Sequence, residues 1–126
     1  MTTQTFFTSQ APAPVGPYSQ GVAAGGLLFL AGQGPFDETG ALVGETFAEQ
    51  AHRTFQNLAA VAAEAGTDLG AVVRLGAYLN SLDDFAEFNA IAAEYLPQPY
   101  PARTTIQSDL LGFLIELDAV LVLDDD

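Results

Sequence analysis

Apolar and polar positions recur at two different periods along this chain, and each change of period marks an element. Between Thr46 and Gly66, the residues Phe47, Ala51, Phe55, Leu58, Ala62 and Ala65 fall three and four apart, the spacing of one helix face. Thr46 followed by Glu49 forms a capping box at the start of that helix, and Gly66 supplies a stop. A second helix opens at Asp83 and Asp84, carries Phe85, Phe88, Ile91 and Tyr95, and is closed by Pro97. Elsewhere the period is two. Residues 72–80 read as a strand with Val73, Leu75, Ala77 and Leu79 on one side. Residues 113–123 read as another, with Ile115, Leu117, Ala119, Leu121 and Leu123 facing one way and Glu116 and Asp118 the other. Shorter strands are expected at 19–23 and 27–31, around a turn at Gly25-Gly26, and at 103–107; residues 35–44 read as a loop.

The order is two strands, a helix, a strand, a helix and two strands. An α+β layer solves it, a mixed sheet with both helices packed on one face. No repeat or linker divides the chain, so residues 1–126 are expected to form a single domain. The sheet's other face carries Val120 and Val122 beside Glu116 and Asp118, a mixture that predicts burial against another subunit.

Composition narrows the chemistry. Cysteine and lysine are both absent and His52 is the only histidine, which excludes thiolate metal sites, a cysteine nucleophile, a Schiff-base lysine and a centre of several imidazoles. Neither kind of metal centre is therefore expected. Three arginines, Arg53, Arg74 and Arg103, stand against 16 acids, for a formal net charge of −13. That field repels nucleic acid and anionic membranes. Nothing near Met1 resembles an export signal and no apolar run spans a bilayer, so a cytoplasmic location is expected. The acidic end, Asp124 to Asp126, reads as a solvated tail.

Arg103 stands out because it opens a strand after Pro97, Pro99 and Pro101 in a chain with few cations. A guanidinium fork matches a carboxylate in bidentate geometry, so a small organic acid fits it; an internal ion pair with one of the many acids is the competing reading. Glu116 lies two strand positions from Asp118, so the two carboxylates share a face. Partial desolvation there would raise one pKa and allow proton transfer near neutrality, where a solvent-facing strand residue would do neither. The segments 16–20 (Gly-Pro-Tyr-Ser-Gln) and 31–35 (Ala-Gly-Gln-Gly-Pro) are glycine-punctuated stretches beside strands, suited to close approach by a ligand or simply to turns. His52 flanks the apolar stripe of its helix and reads as a surface residue.

These segments carry a resemblance. Gly16-Pro17-Tyr18-Ser19-Gln20, Gly32-Gln33, Asn89, Pro101-Ala102-Arg103-Thr104-Thr105 and Ile115-Glu116-Leu117-Asp118-Ala119 occur in the order and spacing of the YjgF/RidA family of enamine/imine deaminases, and the chain resembles it from Ala13 to Val122. The resemblance implies a chorismate-mutase-like fold and a homotrimer with ligand clefts between subunits. It also implies cofactor-free hydrolysis of 2-enamine or 2-imine acids, such as 2-aminoacrylate, to 2-keto acids and ammonia. Arg103 would then clamp the substrate carboxylate, and Glu116 would position the attacking water and move protons. Tyr18 would line the cleft, the main chain of Gly32 and Thr105 would contact the ligand, and Asn89 would take part in substrate binding. Two departures bear on substrate identity: Ala31 stands where the family often has serine, and residues 108–114 form a shortened loop. A non-catalytic binder of small keto acids would need Arg103 but not Glu116. RNA cleavage, a name attached to some relatives, sits badly with a charge of −13.

Overall fold

The computed structural model describes residues 2–123; the acidic tail lies outside the described residues. Six strands form one sheet: β1 (Gln4–Phe6), β2 (Gly21–Ala24), β3 (Leu27–Gln33), β4 (Val72–Leu79), β5 (Ala102–Gln107) and β6 (Ile115–Val122). Two helices, α1 (Phe47–Glu64) and α2 (Phe85–Tyr95), pack together on one side of it. The spatial order is β1-β2-β3-β6-β4-β5. All neighbours run antiparallel except β4 and β5, which are parallel and joined through α2. This is the expected α+β layer.

The helix signals act as read. Glu49 N–H donates to Thr46 Oγ1 (3.2 Å) while Thr46 N–H donates to Glu49 Oε1 (3.1 Å), so the capping box closes in both directions. From that start Phe47, Ala51, Phe55, Leu58, Val61 and Ala62 are buried against the sheet and α2. Phe55 is the hub: its ring stacks on Tyr95 at 4.6 Å and on Phe88 at 6.3 Å between centroids. His52 Nδ1 meets Tyr95 Oη at 2.7 Å, so this histidine ties α1 to α2 at the helix flank.

In β6, Ile115, Leu117, Ala119 and Leu121 are buried under the helices, as the alternation predicts. In β4 one position differs. Val73 is exposed and Val72 is buried in its place, because the pairing with β6 shifts by one residue between Val72 and Arg74. A bulge adds a residue that the partner strand does not match, so strict alternation fails there. Phe85, expected on the inner face of α2, is also exposed, because a short turn of tighter helix at Leu82–Asp84 precedes α2 and makes Phe85 its first residue. The final strand starts at Ile115 rather than residue 113. β1 is an addition to the expected strands, since three polar-rich residues carry no usable period. The Gly25-Gly26 turn joins β2 to β3 with positive φ at both residues (61° and 80°).

Among the described residues, none covers the outer face of the sheet. Phe29, Val73, Ile106 and Val122 project from four of its strands, each between 43% and 46% exposed.

Candidate active site

Glu116 sits mid-sheet on the outer face, between β3 and β4. It can lie there because its neighbour on β3 has no side chain: a Cβ at Gly32 would stand 2.5 Å from Glu116 Oε2. Asp118 is accommodated in the same way on the other side, over Gly76 of β4, where a Cβ would collide with its carboxylate. Tyr78, the β4 residue paired with Glu116, leans along the strand and donates its hydroxyl to Asp118 Oδ2 (2.9 Å). Asp118 is thus held by Tyr78, while Glu116 forms no hydrogen bond with another side chain among the described residues. Burial, and secondarily the negative charge of Asp118, pushes the Glu116 carboxyl above the ordinary glutamate range. A half-buried carboxyl with a raised pKa holds and releases a proton closer to neutrality than an exposed glutamate does.

Glu116 opens into a cleft of about 380 Å³ whose lining includes Tyr18, Gly32, Gln33, Gly34, Phe36 and Phe113. The Tyr18 ring folds back over Gly16, and its hydroxyl accepts the Val15 N–H at 3.3 Å. That segment is pinned from below by the fully buried Gln20. Its Oε1 accepts from Thr8 N–H (2.7 Å), and its Nε2 donates to the carbonyls of Thr8 (3.1 Å) and Pro12 (2.8 Å).

Arg103 is elsewhere. It pairs with Leu75 in β5, on the helix side of the sheet, and its guanidinium stacks on Phe85 and Phe88 of α2 at 5.5 Å and 5.2 Å from the ring centroids. Among the described residues it forms no ion pair; the salt bridge present joins Arg53 to Glu38 at 3.6 Å. The aromatic rings hold the cation in place and leave its edge donors for a ligand. Arg103 and Asn89 line a second cleft, of about 500 Å³, together with Tyr100 and Pro101. Thr105 follows on the same side of β5, and its buried Oγ1 has no hydrogen-bond partner among the described residues. The sequence candidates therefore divide into two groups on opposite faces of one sheet: Tyr18, Gly32 and Glu116 in one cleft, Arg103 and Asn89 in the other, with Thr105 next to the second.

Known proteins share this arrangement of elements. The profile of the endoribonuclease L-PSP family matches residues 8–123. A RutC family protein of Pyrococcus abyssi is 41% identical over 123 residues, covering 95% of this chain and 97% of its own. The chain belongs to the endoribonuclease L-PSP family, the YjgF/RidA family. The crystal structure of RidA from an Antarctic Psychrobacter matches with a TM-score of 0.89 and 38% identity, over 95% of this chain and 99% of that one. TdcF of E. coli, solved with bound serine, matches with a TM-score of 0.87 and 28% identity, over 96% and 99%.

In this member of the YjgF/RidA family, two residues that sequence reading passed over build the cleft wall. Asn57 of α1 is buried and donates to the carbonyls of Gly34 (2.9 Å) and Phe36 (2.8 Å). Gln50 accepts the Leu114 N–H (2.9 Å) and donates to the Gly44 carbonyl (3.1 Å), joining the two loops that flank Glu116. The signal was present. Gln50, Thr54 and Asn57 form a polar row at helical spacing beside the apolar stripe, and buried polar groups need partners in a loop or a strand end.

Proposed function

We propose that this chain hydrolyses 2-imino and 2-enamine acids to 2-keto acids and ammonia, at sites shared between subunits of a homotrimer. The observation that carries the reading is Glu116, a half-buried carboxyl with a raised pKa lying across the bare backbone of Gly32 in an open cleft. An iminium carbon is already electrophilic, so the protein has to supply a positioned water and a group that moves protons. Glu116 takes a proton from water as its oxygen bonds to C2, giving a carbinolamine, and returns that proton to the amino nitrogen. The C–N bond then breaks, ammonia leaves with the bonding pair, and the hydroxyl proton returns through Glu116 to the ammonia. The sum is iminium plus water to ketone plus ammonium.

Arg103 supplies the carboxylate contact in this reading, through the fork that its aromatic seat leaves open. Within one chain Arg103 and Glu116 are separated by the sheet, so a substrate touching both has to sit between copies. The uncovered apolar outer face supports such an assembly. Tyr18 closes one side of the cleft; Gly32, Thr105 and Asn89 contribute contacts. The family description names an endoribonuclease, but three arginines against 16 acids give RNA no electrostatic footing here.

A mixing experiment tests the reading. Arg103→Ala and Glu116→Gln should each abolish suppression of semicarbazide trapping when an amino-acid oxidase generates the imine in place. Co-refolded in equal amounts, the two inactive variants should recover roughly a quarter of the wild-type rate, since that share of interfaces regains both residues. No recovery would show that one subunit carries the whole site. Keto-acid binding by a wild type without turnover would leave a binding protein.

A further inference from the structure

The cleft that holds Glu116 continues past its carboxylate. Its floor runs along the backbone of Gly32, Gln33 and Gly34, and two residues of near-extended chain advance it by roughly 6–7 Å. At Gly32 the floor is covered by the Glu116 carboxylate, and at Gly34 by two aromatic rings. A Cβ on Gly34 would stand 2.8 Å from Phe36 Cε2 and 3.2 Å from Phe113 Cε2. The rings meet edge to face, with centroids 5.0 Å apart and planes at 75°. Their positions are fixed from behind, because Asn57 holds the Gly34 and Phe36 carbonyls and Gln50 holds the N–H of Leu114, next to Phe113. Val15 and Leu111 flank the same cleft at 93% and 96% exposure, apolar side chains left in water by this chain alone. Among the described residues lining the cleft, Glu116 alone is charged. One end of the cleft is therefore a proton-transfer group and the other a rigid apolar wall.

We propose that the Phe36–Phe113 wall is a side-chain subsite that selects 2-imino acids with a branched or aromatic apolar side chain over those with a methyl group. The inference rests on the deaminase reading and adds the substrate class to it. With C2 beside Glu116, a methyl substituent stops short of the rings, whereas an isobutyl or benzyl group reaches their edges and removes them from water. A carboxylate-bearing side chain would be desolvated against the rings with no partner, and so would be rejected.

Imines generated by an amino-acid oxidase from alanine, leucine and phenylalanine, with semicarbazide as the trap, test this directly. Wild type should show kcat/KM roughly tenfold or more higher for the leucine- and phenylalanine-derived imines than for the alanine-derived one. Phe36→Ala and Phe113→Ala should bring that ratio toward one, and Phe113→Leu should restore part of it. A wild-type ratio near one, or a ratio unchanged in both alanine variants, would overturn the subsite while leaving the deaminase reading intact. If wild type hydrolyses none of the imines, the deaminase reading fails and calorimetric titration with pyruvate and 4-methyl-2-oxopentanoate decides the subsite alone. Tighter binding of the longer acid, lost in Phe113→Ala, supports it; equal binding, or none, overturns it.

Discussion

The Glu116 carboxylate crosses the backbone of Gly32 so closely that a methyl group there would stand 2.5 Å from Oε2. The glycine therefore shapes the candidate site through the space it leaves. Gly32→Ala should displace the carboxylate by the better part of an ångström while leaving the buried core untouched. We expect kcat/KM for imine hydrolysis to fall by roughly 10²-fold, the cost of a misplacement of that size, with little change in melting temperature. Retained activity would mean that Glu116 reaches its substrate from a different rotamer.

Glu116 also links stability to pH. Its carboxyl is held above its ordinary value of 4.5, mainly by burial and then by the Asp118 charge. The native state thus binds this proton more tightly than the unfolded chain. The stabilisation is full below the unfolded pKa and is lost as pH rises through the raised native one. Above the ordinary value the unfolded chain gives up this proton more readily than the native one, so Glu116→Gln should raise the melting temperature at pH 7 while removing activity. Below the ordinary glutamate range the difference should vanish, because both side chains are then neutral. A scan across pH checks the sign, and a variant less stable than wild type at pH 7 would contradict it.

Asp118 contributes to that poise as a positioning residue. Asp118→Asn keeps the shape that Gly76 accommodates and can still meet the Tyr78 hydroxyl, but it removes the negative charge beside Glu116. The titration of Glu116 should move to lower pH without reaching the ordinary value, because its burial remains. The Glu116 side-chain carbon signal, followed by NMR against pH, reads this directly, and the acidic limb of the pH–rate profile should shift the same way.

The loop wall should be sensitive to Asn57, which satisfies two carbonyls from a fully buried position on α1. Asn57→Ala leaves both without that partner, at about 1–3 kcal/mol for a buried polar group left unpaired. Denaturant unfolding should show that loss. The stacked core around Phe55 should persist, visible as unchanged near-ultraviolet circular dichroism from Tyr95.

Much of this was legible in order along the chain. The helix start at Thr46, the Gly25-Gly26 turn and the inward row of β6 each depend on neighbours within a few residues, and local periods and caps report such neighbours faithfully. Where the chain departed from a period it did so for a reason that lies elsewhere: the bulge that exchanges Val72 for Val73 is set by the pairing with β6, some 50 positions away. Sequence by itself determined the α+β class, the family and the shortage of cations, and it singled out Arg103 and Glu116 as candidates for carboxylate chemistry. Only the tertiary structure decided that those two stand on opposite faces of one sheet and in separate clefts, that Arg103 is seated on Phe85 and Phe88 rather than paired with an acid, and that Glu116 shares its cleft with Phe36 and Phe113. The physical reason is register. Which face a side chain takes follows from pairings between strands far apart in the chain, and a single-residue shift reverses it, so no local pattern can carry that information.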